Sequence, residues 1–78
     1  MIRKEDIKRI VNNNRLPYNW SIVEGGEQVD FNVEYTTQEE HEELNAIMEV
    51  NGYSLVTEDI LDEFEDGEYS SIHTYTKN

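Results

Sequence analysis

Apolar residues recur at helical spacing in two segments of the chain. From Arg3 to Asn14 three of them lie three and four residues apart, on one face of a helix: Ile7, Ile10 and Val11. From Thr36 to Asn51 a second stripe is formed by Leu44, Ile47 and Met48. Thr37 followed three residues later by Glu40 is a capping box, which marks a helix N-terminus. Both segments are therefore predicted to be amphipathic helices.

Between the two helices the pattern changes to alternation, which is typical of a half-buried strand. Segments 20–24 and 28–35 predict a β-hairpin around a two-residue turn at Gly25-Gly26, where both residues can take positive φ. The second strand is expected to place one set of side chains in the core: Val29, Phe31, Val33 and Tyr35.

The last third of the chain allows two interpretations. Residues 53–57 begin a third strand, and the Tyr-, Ser- and Thr-rich segment 68–76 predicts a fourth. Between them, Ile60, Leu61 and Phe64 fit a short helix over 58–65 with Thr57 as its cap. They also fit a strand that runs to a turn at 66–67 (Asp-Gly), a strong hairpin signal. We favour the long hairpin and keep the short helix as the alternative.

The predicted fold is α+β, a single domain over residues 1–78 with the order α-β-β-α-β-β. Its simplest architecture is a four-stranded antiparallel sheet with both helices packed on one face. The expected core consists of Ile7, Ile10, Val11, Trp20, Ile22, Val29, Phe31, Val33, Leu44, Ile47, Met48, Leu55 and Ile72.

Charge adds information that the pattern does not give. The net charge is −12, and five of the six Lys and Arg residues lie within the first fifteen positions. Between Leu16 and Thr76 there are sixteen acidic residues and no Lys or Arg. Solubility alone asks for a net charge magnitude of roughly 2–8 in a small domain. Such a field favours basic partners and disfavours nucleic acid and anionic membranes.

No motif for catalysis is found, so the chain is not expected to be an enzyme. Cysteine is absent, which fits a cytoplasmic protein, and no apolar run is long enough to span a membrane. His41 among glutamates and His73 in a strand are expected to lie at the surface or a sheet edge. The acidic tract that begins at Asp62 fails as a calcium loop, because positions 3 and 12 are Phe64 and His73. No metal and no cofactor are predicted.

Carboxylates on rigid elements are the candidate binding residues, because they can engage a basic surface at low entropic cost. They are Asp30, Glu34, Glu39, Glu42, Glu43, Glu58, Asp59, Asp62, Glu63, Glu65, Asp66 and Glu68. In length, acidity and lack of cysteine the chain resembles the small DNA-mimic inhibitors of bacterial viruses, without sharing a motif with them. That resemblance implies an inhibitor or modulator that occupies the basic, nucleic-acid-binding surface of a host protein.

The alternative is a small protein-interaction module, in which the acidity is incidental. Such a module would bind through a sheet edge or through an aromatic patch, with three tyrosines as candidates: Tyr18, Tyr69 and Tyr75.

Overall fold

The structure is a computed structural model that describes residues 1–78. It contains two helices, α1 (Lys4–Asn14) and α2 (Gln38–Val50). Its four strands are β1 (Asn19–Ile22), β2 (Gln28–Thr36), β3 (Tyr53–Glu63) and β4 (Tyr69–Lys77). The predicted order is confirmed, and the segment that allowed two interpretations is strand and not helix.

The four strands form one antiparallel sheet in the order β1-β2-β4-β3. Strands β2 and β4 lie at its centre, with Phe31 opposite His73. The edges differ in length, since β1 has four residues and β3 has eleven. The hairpin from β3 to β4 turns one residue before the predicted Asp66-Gly67 pair, since the Gly67 amide donates to the Phe64 carbonyl at 3.1 Å. Gly67 follows the turn with φ 87°, and the Phe64 amide donates to the Glu68 carbonyl at 3.0 Å.

The hydrophobic core lies between one face of the sheet and both helices. Ten buried residues form a single cluster, which draws on both helices, on strands β2, β3 and β4 and on the N-terminal segment: Ile2, Ile7, Ile10, Val29, Phe31, Val33, Leu44, Met48, Tyr53 and Tyr75. Since the buried residues of the central strands all share one face, the two helices cover the same side of the sheet. The hydroxyl of Thr37 accepts from the Glu40 amide at 3.3 Å, so the predicted cap at the start of α2 is confirmed.

Two predicted core residues are wrong. Ile72 lies on the opposite face of the sheet, because the inward set of β4 consists of Ser71, His73 and Tyr75. Leu55 faces the helix side but lies on the edge strand, and it is 42% exposed. Four further predicted core residues are half-buried against the cluster: Val11, Trp20, Ile22 and Ile47.

Tyr35 also departs from the prediction, since it is 51% exposed and not directed into the core. The register between β2 and β4 shifts between Val33 and Thr36, and Tyr35 has a φ of 48°. This irregularity ends the alternation of β2 and turns the Tyr35 ring outward.

The first hairpin is centred on Gly25-Gly26 as predicted, with Ile22 opposite Val29, but its loop is longer than two residues. Gly25 and Gly26 have positive φ as expected, at 96° and 74°. The hydrogen-bonded turn, however, runs from Val23 to Gly26, whose amide donates to the Val23 carbonyl at 2.9 Å. Met1 packs over this turn, so closely that a Cβ on Gly26 would lie 2.7 Å from the Met1 Cγ. The N-terminal segment thereby becomes part of the fold.

Candidate functional site

The edge strand β3 carries most of the exposed apolar side chains of the molecule. Five of them lie on this strand or directly after it and are 40–59% exposed: Leu55, Val56, Ile60, Leu61 and Phe64. We call these five residues, together with the exposed acids Asp59, Asp62 and Glu63 between them, the β3 surface. The pairing of β3 with β4 is irregular between Leu55 and Thr57 and again between Ile60 and Asp62. Between these two irregularities, residues 57–60 pair regularly with β4.

The tip of the β3–β4 hairpin is held in place by Tyr35. The Tyr35 ring meets the Phe64 ring edge to face, with centroids 4.8 Å apart. Its hydroxyl donates to the Asp66 carboxylate, and its backbone amide donates to the Ser70 hydroxyl at 2.8 Å. The hydrogen bond to Asp66 raises the pKa of Tyr35 to about 12 and lowers the pKa of Asp66. The acidic tip is thus an ordered part of the surface.

The predicted binding residues lie on three surfaces. Seven belong to β3, the hairpin tip or the residue before β4: Glu58, Asp59, Asp62, Glu63, Glu65, Asp66 and Glu68. Glu39, Glu42 and Glu43 lie exposed on α2, and the first two line one hollow together with Asp66 and Gly67. Asp30 and Glu34 lie on the uncovered face of β2. The fold therefore joins the start of α2 to the hairpin tip as one acidic end, and leaves β2 apart from it.

Five of these acids are already engaged within the protein. Asp66 accepts from the Tyr35 hydroxyl, and the side-chain amides of Asn32 and Gln38 donate to Glu34 and Glu42. Asp30 accepts from the Thr74 hydroxyl at 2.6 Å. Glu58 is half-buried, with one carboxylate oxygen 3.6 Å from His73 Nε2 and the other accepting from the Tyr69 hydroxyl at 3.3 Å. The remaining seven have no hydrogen bond from another side chain and are better able to meet a partner.

Cations offset little of this negative surface. The only ion pair of a Lys or Arg joins Arg9 to Asp6 at 3.5 Å, and it lies within α1 at an exposed position. Exposed pairs of this kind stabilise a protein by ~0–1 kcal/mol. The acidic end of the molecule therefore keeps its charge.

Both histidines are fully buried, so the prediction that they lie at the surface or an edge is wrong. His41 precedes Leu44 by three residues and Met48 by seven, which places it on the buried stripe of α2. His73 alternates with Ser71 and Tyr75 on the inner face of β4. The helical spacing was present in the sequence, but the surrounding glutamates favoured an exposed position.

The buried histidines meet at the centre of a polar cluster. We call His41, His73, Ser71 and Glu58 the histidine cluster. His41 Nδ1 lies 2.9 Å from His73 Nε2 and 3.0 Å from the Ser71 hydroxyl. The two imidazole planes are inclined by 12°, with centroids 5.1 Å apart. The His41 ring also stacks on Tyr69, with centroids 3.8 Å apart.

In each histidine ring, the nitrogen that points away from the other histidine contacts oxygen atoms. His41 Nε2 lies 3.0 Å from the Tyr69 carbonyl oxygen and 2.7 Å from the Thr36 hydroxyl. His73 Nδ1 lies 2.9 Å from the Asn45 side-chain oxygen, which also accepts from the Tyr75 hydroxyl at 2.5 Å. Burial lowers the pKa of His73 to about 4, against the opposing effect of the Glu58 carboxylate. His73 is therefore neutral at pH 7.

The three tyrosines proposed for an aromatic patch do not form an exposed surface. Tyr75 is fully buried, while Tyr18 and Tyr69 are half-buried. Burial raises the pKa of Tyr75, as expected for a phenol in the core. Of the two routes considered for an interaction module, the structure offers the sheet edge.

Comparison with protein-family models, with curated proteins and with solved structures found no match. Neither helix has the length and apolar character needed to cross a bilayer. The function is therefore argued from the surfaces and clusters of this chain.

Proposed function

We propose that the protein is a binding module for a basic protein segment, and that the β3 surface with the acidic hairpin tip is its contact site. The observation that carries the proposal is the position of four exposed apolar side chains on an eleven-residue edge strand and of a fifth, Phe64, directly after it. It joins the two predictions made from the sequence, since the sheet edge is also the most acidic part of the chain.

The apolar component favours a protein partner. Exposed apolar side chains that cluster on an edge strand are a usual feature of sites where another chain packs. The other edge strand, β1, has only four residues and therefore offers a partner a shorter edge. Because two irregularities divide the pairing of β3 into runs 53–55, 57–60 and 62–63, uninterrupted backbone addition of a strand would be short. Side-chain packing on Ile60, Leu61 and Phe64 would supply the rest of the contact.

The charge component favours a basic partner over a second copy of this chain. Four of the seven residues in segment 57–63 are acidic. Two β3 strands paired edge to edge would bring these carboxylates close to one another, and like charges opposite each other destabilise a sheet. A segment that alternates Lys or Arg with apolar residues would instead meet both components. Attraction over long range would also speed its association.

Mimicry of DNA remains a prediction without a dedicated structural feature. The acids lie on three surfaces, and five of them already contact other side chains of the protein, as Asp30 does with Thr74 and Glu58 with His73. A partner that uses its nucleic-acid-binding groove would nevertheless be basic, so the same surface could engage it. Competition with duplex DNA separates this possibility from binding to any other basic segment.

The test measures binding of a short synthetic peptide that alternates Lys and Val, with a Glu and Val peptide as the negative control. Fluorescence anisotropy at low and moderate salt should show binding of the basic peptide that weakens with salt. Leu61→Lys should abolish it. Val50→Lys is the matched control, since Val50 is 86% exposed on α2 and the charge change is the same. Equal loss in both variants, or equal binding of both peptides, would refute the proposed surface.

A pull-down from a bacterial lysate then identifies partners, with the Leu61→Lys and Val50→Lys variants as parallel baits. A specific partner should be retained by Val50→Lys and lost by Leu61→Lys. Release of that partner by duplex DNA would show that its nucleic-acid-binding surface is the one engaged. Retention in the presence of DNA would exclude mimicry.

A further inference from the structure

We propose that His41, His73 and Glu58 form a binding site for one transition-metal dication of the class represented by Zn²⁺. The three side chains come from α2, β4 and β3, and their donor atoms all lie within 4.8 Å of one another. Two imidazole nitrogens and a carboxylate oxygen form a donor set that suits zinc and its neighbours in the first transition series. The Ser71 hydroxyl, 3.0 Å from His41 Nδ1, lies beside them.

In the metal-binding arrangement, the nitrogens of the outer contacts carry the hydrogens of the two rings. The Tyr69 carbonyl oxygen can only accept and the Thr36 hydroxyl can also accept, so a hydrogen on His41 Nε2 has two acceptors within 3.0 Å. The Asn45 oxygen likewise receives a hydrogen from His73 Nδ1. Each neutral imidazole carries one N–H, and both are used in this way. His41 Nδ1 and His73 Nε2 therefore face each other, 2.9 Å apart, with a lone pair on each.

In this arrangement two lone pairs face each other in a buried site, and a cation between or beside them would satisfy both. The Ser71 hydroxyl can donate to His41 Nδ1, but it cannot also satisfy His73 Nε2. A metal dication satisfies both nitrogens at once, and Glu58 supplies a negative charge. Histidines that bind metals commonly donate their other N–H to a carbonyl or similar acceptor, as both rings do here.

The donor distances are close to those of a zinc site. Bonds of about 2.0–2.1 Å in a tetrahedral arrangement place neighbouring donors about 3.3–3.4 Å apart. Two of the three separations bracket this value, at 2.9 Å between the nitrogens and 3.6 Å from His73 Nε2 to Glu58, and all three donors lie within 4.8 Å of one another. The rings meet nearly head-on, so metal binding requires them to part slightly and tilt. Glu58, whose side chain is 24% exposed, lies on the solvent side and provides access.

The competing arrangement contains no metal. If Asn45 presented its NH₂ group to His73 Nδ1, His73 Nε2 would carry the hydrogen and donate it to His41. The network would then be satisfied as two neutral imidazoles. The two arrangements differ in which nitrogen of His73 is protonated, and this difference can be measured directly.

The experiment titrates Zn²⁺ into chelator-treated protein by calorimetry, with excess Mg²⁺ present to occupy diffuse carboxylate sites. We expect saturation at one Zn²⁺ per chain and a rise in Tm. Glu58→Gln should weaken the affinity at least ~10-fold. Asp59→Asn is the matched control, because it removes the same charge one residue away and on the opposite face, and it should leave the affinity unchanged.

Nitrogen NMR of the histidine rings provides a readout that does not depend on a variant. Zn²⁺ should shift the Nδ1 resonance of His41 and the Nε2 resonance of His73, and leave their partner nitrogens protonated. Absence of saturable binding would overturn the proposal, as would equal weakening by Glu58→Gln and Asp59→Asn. Protonated Nε2 in His73 that persists in saturating Zn²⁺ would also overturn it.

Discussion

Replacement of Phe31 by Ala tests the central feature of the fold, the inward face of β2. Phe31 is fully buried and its ring meets the Tyr75 ring edge to face, with centroids 5.8 Å apart. Truncation of a buried Phe costs about 3–5 kcal/mol, from lost transfer energy and from the cavity that remains. A chain of 78 residues is expected to have a total stability of ~4–12 kcal/mol. The variant should therefore lose a large part of its stability.

A graded variant keeps the measurement possible if Phe31→Ala does not fold. Phe31→Leu retains most of the apolar volume and loses the aromatic contact with Tyr75, so it should cost ~0.5–1.5 kcal/mol. Ile72→Ala is the control on the opposite face of the neighbouring strand, and it should cost about 1 kcal/mol or less, because Ile72 is only half-buried.

Urea unfolding, followed by tryptophan fluorescence and by circular dichroism, gives the free energy of unfolding of each variant. The expected order of destabilisation is Phe31→Ala, then Phe31→Leu, then Ile72→Ala. A cost for Ile72→Ala that equals or exceeds that of Phe31→Ala would show that the two faces of the sheet are reversed. In that case the placement of His73 in the core would also be wrong.

Three further measurements examine local features. Thr37→Ala removes the cap of α2 and should cost about 1 kcal/mol in urea unfolding, whereas the same loss in Thr37→Ser would contradict a role of the hydroxyl. Gly26→Ala should destabilise more than Gly25→Ala, because both have positive φ but only Gly26 lies against Met1. All five tyrosines have raised pKa values, with Tyr35 at about 12. Their contribution to stability is present below the unfolded pKa of ~10 and is lost as the pH rises through the folded values. In the folded protein, the absorbance of tyrosinate should therefore rise only above pH 10. A tyrosine titration with its midpoint at ~10 in the folded protein would refute the raised pKa values.

The fold could be predicted because its local signals agree with one another. The stripe in each helix, the Thr37 cap and the Asp66-Gly67 turn all favour the same arrangement that burial favours, and such agreement characterises sequences that specify one structure. The long strand β3 was harder to predict. Its apolar residues at positions 60, 61 and 64 fit two periods, and only pairing with β4 selects the strand.

The candidate site could be predicted only in part. The acidic tract was visible in the sequence, but its union with an apolar edge depends on β3 lying outermost, which no local pattern determines. The burial of Ser71 and His73 in place of Ile72 depends on the register of β4 against β2. A shift of one residue would exchange the two faces of the strand, so a pattern of Ser, Ile, His and Thr does not decide between them.

Glu58 lies on β3, the strand of the proposed peptide-binding surface, but its side chain belongs to the proposed metal site. It lies in the run 57–60 of β3, which pairs regularly with β4 and where its carboxylate could otherwise bind a cation of a partner. Its contacts with His73 and Tyr69 direct that carboxylate toward the core side of the sheet. The acids left for a partner on this strand are Asp59, Asp62 and Glu63, which are all exposed. Since Asp59 and Glu58 point to opposite faces, substitution of each should affect one site and spare the other.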